Sequence, residues 1–103
     1  MAKVTINPGV CGFITTVEVK RIAKRRVSVS IISDCERMAQ LAEALKEMNA
    51  WDTLQPRGES EVHQLTLKHP IHAACPIPTG ILKAVEVEAG LALPRDVTIH
   101  FES

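Results

Sequence analysis

The chain has 103 residues, with 12 basic and 12 acidic side chains that cancel to zero, 46% hydrophobic and 23% charged residues. That balance excludes a disordered chain and fits one globular domain over residues 1–103, which would bury roughly 65% of its unfolded surface without needing disulfide staples. No apolar run is long enough to span a bilayer, Met1-Ala2-Lys3-Val4 does not open a signal peptide, and no excess of positive charge favours nucleic acid or membrane, so a cytoplasmic protein is expected.

Val4 and Ile6 alternate with polar neighbours ahead of the turn-forming Asn7-Pro8-Gly9, which predicts a short strand over residues 3–7, and Cys11-Gly12 closes the turn. Phe13, Thr15, Val17 and Val19 then share one face; Val27, Val29 and Ile31 alternate with Ser28 and Ser30. This period of two predicts an antiparallel hairpin. Ser33-Asp34-Cys35-Glu36 fits a capping box, and Met38, Leu41, Ala42, Leu45 and Met48 mark the apolar side of a helix from about Asp34 to Asn49. Residues 50–74 are left open: Gln55-Pro56-Arg57-Gly58 reads as a turn, and Val62 to Leu67 fits either a strand or a helical turn.

Cys75-Pro76-Ile77-Pro78 opens a second helix, with Pro78, Ile81, Leu82, Val85 and Ala89 as its stripe and Gly90 as its stop. Leu93-Pro94-Arg95-Asp96 turns into a last strand with Val97, Ile99 and Phe101 on one face and Thr98 and His100 on the other. The expected fold is α+β, a two-layer sandwich with a mainly antiparallel sheet of about four strands and two helices on one face, in the order βββα…αβ.

Three cysteines, Cys11, Cys35 and Cys75, cannot all pair within one chain, and their spacings match no paired zinc-finger motif. Topology says more than spacing. If the first strand runs upward, its turn carries Cys11 to the top, the third strand ends at the top just before Cys35, and a second helix parallel to the first starts there with Cys75. Cys35 and Cys75 would then meet the amide groups of helix starts, which favour thiolate, while Cys11 lies among small turn residues that allow close approach of a ligand. His63, His69 and His72 precede Cys75, so a fourth ligand is at hand. A metal site of Cys11, Cys35, Cys75 and His72 holding zinc or an iron–sulfur cluster is the leading expectation, the protein serving as a carrier or accessory factor.

The stretch Cys75-Pro76-Ile77-Pro78 with Gly80-Ile81-Leu82-Lys83-Ala84 resembles the Cys-Pro-x-Pro helix start of the TusA-like sulfur carriers. That resemblance implies a persulfide on Cys75. Over the whole chain, Cys11-Gly12-Phe13, Ser33-Asp34-Cys35 and Cys75-Pro76-Ile77-Pro78 look like a small family of uncharacterised prokaryotic proteins, a likeness that implies a compact domain and no particular activity.

Lys20, Arg21, Lys24, Arg25 and Arg26 crowd the hairpin tip, but Phe13, Trp51 and Phe101 are the only aromatics, so a stacking platform for single-stranded nucleic acid is missing and a solvated tip is expected. Trp51 is expected to cap the bottom of the core. A Cys75–His72 catalytic pair lacks an orienting third group in the sequence, and a non-enzyme is the favoured expectation. Two alternatives stand beside the metal or cluster reading: a persulfide or thiol-transfer carrier using Cys75, with Cys35 or Cys11 as resolving partner, and a non-catalytic interaction module with packing cysteines. The partner would be another protein or a second copy meeting through an exposed edge strand.

Overall fold

The computed structural model describes all residues from Met1 to Ser103. Strands β1 (Ala2–Ile6), β2 (Thr15–Ala23), β3 (Arg26–Ser33) and β4 (Glu47–Asn49) form one antiparallel sheet in the order β1-β2-β3-β4. Helices α1 (Glu36–Ala44), α2 (Glu61–Lys68) and α3 (Ile77–Glu88) complete the α+β fold, with a short 3₁₀ segment, Ala50–Leu54, between β4 and α2.

Alternation does the work in the sheet. Thr15, Val17, Val19 and Val27 are fully buried, and the register sets Val17 beside Ile31 and Val19 beside Val29, so β-branched pairs line the face turned to the helices. Met38 and Leu41 of α1 and Ile77, Ile81, Ala84 and Val85 of α3 close over that face in a single core cluster. The other face carries Lys3, Thr5, Glu18 and Ser30, with Lys3 and Glu18 paired across strands at 3.8 Å.

Four expectations are corrected. The first helix stops at Ala44 instead of reaching Asn49; Leu45 caps it with a non-helical backbone, and Met48 enters the core from β4. Ser33 and Glu36 form no capping box: Cys35 is the N-cap, without a side-chain cap bond, and the Ser33 hydroxyl accepts the Cys35 N–H at 3.1 Å. Trp51 does not cap the core but lies 42% exposed with the Arg25 guanidinium 4.9 Å from its ring centre, at the hairpin end. The last strand is absent: residues from Asp96 to Ser103 are exposed and unpaired, so the fourth strand is Glu47–Asn49, and the middle of the chain supplies a third helix.

α3 ends as its sequence predicts. Gly90, at φ +77°, donates to Val87 and Leu91 donates to Glu86, a Schellman stop that needs a left-handed residue. Glu88 accepts the Arg21 N–H at 2.9 Å and lies 3.3 Å from the terminal amine of Met1, so α3 finishes where β1 begins. Its start therefore lies at the opposite, Ile6, end of β1. No helix is long and apolar enough to cross a membrane.

Candidate thiol site at one pole

Three tight turns deliver the cysteines. Asn7 Oδ1 accepts the Gly9 N–H at 3.0 Å and Gly12 N–H donates to the Gly9 carbonyl at 2.9 Å, with Gly9 and Gly12 both at positive φ, so Cys11 rides on a turn that side-chain-bearing residues would strain. At the adjacent end of β3, Thr15 is paired with Ser33 in the ladder and its hydroxyl stands 2.7 Å from Ser33 Oγ, the same oxygen that holds the Cys35 amide. Thr15 and Ser33 thus position Cys35. The third turn closes with the Cys75 N–H donating to the His72 carbonyl at 3.0 Å, which keeps His72 beside Cys75 just before α3.

These turns meet around one cavity of about 380 Å³, lined by Cys11, Cys35, Cys75 and His72. All four residues singled out by sequence are there; His63 and His69 are not, the first being turned to the Ser60 hydroxyl through Nδ1 at 2.8 Å and the second capping the end of α2. Cys11 is exposed, whereas Cys35 and Cys75 are half-buried and pack against the core. Sequence reasoning missed the rest of the wall: Phe13, Met38, Ile71 and Ile77 make it apolar, and Glu36 and Arg37 bring charge from the first turn of α1. The position of Arg37, two residues past Cys35 at a helix start, was the available signal; Ile71, in an irregular stretch, gave none.

At Cys75 the electrostatics differ from the expectation of a thiol pKa depressed by a helix start. Cys75 stands one residue before the Pro76 cap instead of within the first turn, and burial pushes its thiol up. The backbone N–H of Ile77 acts against that, and the nearby Cys11 and Cys35 add to the rise by like-charge repulsion. The sulfurs therefore sense one another. No three histidine, cysteine, aspartate or glutamate side chains, however, stand close enough to hold a single metal ion.

Fold and site together define a class: a small α+β protein whose sheet and helices gather a trio of free thiols at one pole, in an apolar cavity open to solvent. Within that class, the chain belongs to a family of unknown function, DUF6951, which matches residues 2–101. No curated protein and no solved structure matches it.

Proposed function

We propose that this protein binds an iron–sulfur cluster through Cys11, Cys35 and Cys75, with His72 or a partner's ligand at the remaining iron. The observation that carries the reading is the shared cavity of about 380 Å³ on which these residues converge from three separate parts of the chain. Its volume leaves room for a cluster as well as for a single ion. A tetrahedral zinc ion with Zn–S bonds of ~2.3 Å draws its thiolates to roughly 3.8 Å of one another, closer than any three such ligands stand here. Thiolate ligands on iron also reverse the local electrostatics, because cationic iron replaces mutual repulsion with attraction. Exposed Cys11 and His72 form the open side, where a carrier or accessory factor would hand its cluster to another protein.

Anaerobic reconstitution with ferrous iron and sulfide tests this. Desalted protein is expected to retain both elements in similar amounts, with visible sulfur-to-iron charge-transfer absorption, and Cys→Ala at any of the three positions is expected to reduce the load. Retention of neither element by the reduced wild-type chain overturns the reading.

A second reading rests on the place of Cys75 in the cavity wall just ahead of α3, where the backbone N–H of Ile77 favours an anionic sulfur. In that chemistry the Cys75 thiolate attacks the outer sulfur of a donor persulfide, forming a new S–S bond and releasing the donor thiolate, with no net oxidation. Mass spectrometry after exposure to such a donor should then show one added sulfur on Cys75 and none on a Cys75→Ala variant.

A further inference from the structure

The tail and the sheet edge have complementary needs. None of the residues from Asp96 to Ser103 lies in a helix or strand or bonds through its backbone to another residue, yet Val97, Ile99 and Phe101 are 65%, 80% and 86% exposed. Their alternation with Thr98 and His100 is the pattern of a half-buried strand. The family match runs through this tail to residue 101, so the tail is part of what the family shares.

β1 is paired on one side only, and no backbone–backbone hydrogen bond outside its ladder with β2 involves Ala2 to Ile6, although the Ala2 N–H faces the Glu88 carboxylate at the start of the strand. The edge carries no proline and no bulge, and its one lysine, Lys3, is turned to Glu18 on the open face. It lacks most of the devices that keep edges from pairing. Its side chains also match the tail in phase: Val4 and Ile6 pack toward the core while Lys3 and Thr5 face solvent, as Val97, Ile99 and Phe101 would alternate with Thr98 and His100.

Direction favours a second copy as the source of the strand. Because α3 ends beside Met1, a tail returning directly along its own β1 would run parallel to it, in a sheet whose every other pair is antiparallel. A tail arriving from a second copy is free of that constraint. We propose that residues 97–101 of each copy add as an antiparallel fifth strand to the β1 edge of the other, giving a two-fold symmetric dimer. The exchange is reciprocal and closed, so both β1 edges are paired and both tails are used, leaving no free tail to recruit a third copy. It is independent of the thiol site, which lies on turns that the exchanged strand does not use.

The test is the mass of the full chain in reducing buffer by analytical ultracentrifugation, combined with amide hydrogen exchange at two concentrations. A species of twice the 11.3 kDa chain mass is expected at micromolar concentration, with protection of residues 97–101 that disappears on dilution to monomer. Ile99→Lys, on the inward face, is expected to weaken dimerisation about tenfold or more, whereas Thr98→Lys on the outward face leaves it nearly unchanged. A chain that stays monomeric overturns the proposal, whether its tail is unprotected or is protected independently of concentration by docking on its own β1. A dimer equally sensitive to both substitutions, or to neither, overturns it as well.

Discussion

Gly80 shows what a single missing atom decides. It has ordinary helical backbone, so its requirement is space: a Cβ would overlap Ile6 Cδ1 and stand 2.7 Å from Ile6 Cγ1 where α3 crosses β1. Helix propensity favours replacing glycine by about 1 kcal/mol for alanine, but overpacking costs about 1–3 kcal/mol. For Gly80→Val, whose branched side chain adds bulk and gains little propensity, a net loss of about 2 kcal/mol is expected in urea denaturation. The same change in an Ile6→Ala background should cost about 1 kcal/mol less, and equal losses in both backgrounds would place the strain elsewhere. Glu88 gives a pH-dependent counterpart. The Arg21 N–H, ahead of the terminal amine, holds its carboxyl below the ordinary value, so its folded pKa lies below its unfolded one. The stabilisation is then fully present above about pH 4.5 and is lost as pH falls through the folded value. Compared with Glu88→Gln, the wild type should keep a constant advantage from about pH 5 to 7 that shrinks in more acidic buffer, as read from urea midpoints. A pH-independent difference would assign it to packing alone.

Elements differ in how much of their origin a sequence displays. β2 and β3 were legible because valines at alternate positions satisfy one template only, and α3 was legible at both ends, through Pro76 and Pro78 at its start and Gly90 at its stop. The end of α1 was not, since Leu45 and Met48 are buried under either description, as a fourth helical turn or as a cap residue followed by a strand. No glycine or proline punctuates that junction. The tail exposes the other limit of periodicity: Val97, Ile99 and Phe101 alternate as a strand would, yet the segment joins no sheet within the chain, because alternation names a pattern and not a pairing partner. At the thiol pole the turns around Cys11 and Cys75 were marked by glycine and proline, whereas the Ile71 wall depends on how residues 69–76 pack and had no local marker. β4 supplies the prediction at this scale. Although the strand is only three residues long, Met48 is fully buried in the core, so Met48→Ala is expected to cost about 3 kcal/mol in chemical denaturation. Glu47→Ala, which loses only the exposed pairing with Arg26 at 3.5 Å, should stay within about 0.5 kcal/mol of wild type. Similar losses at both positions would mean that β4 is held by its ladder instead of by its side chain in the core.

For the whole molecule, the thiol cavity joins regions that the chain otherwise keeps apart: the β1–β2 turn, the start of α1 and the start of α3. A ligand bonded to all three closes long loops in the native state and links its own binding to folding. If it binds only the folded chain, stability rises by about 2.7 kcal/mol at a hundredfold excess over Kd, which in a domain of this size raises the melting temperature by about 10 °C or more. Burial separates this effect from packing. Cys11 is exposed, so Cys11→Ala should leave the cluster-free protein within about 0.5 kcal/mol of wild type, while Cys75→Ala removes a half-buried side chain packed on the core and should cost about 1 kcal/mol. After anaerobic iron and sulfide loading, thermal unfolding should shift upward for wild type and markedly less for Cys11→Ala, although the two begin nearly equal. An identical shift in both would show that Cys11 is no ligand. No shift in either would leave Cys35 and Cys75 as packing residues, with Cys11 an exposed turn residue above them.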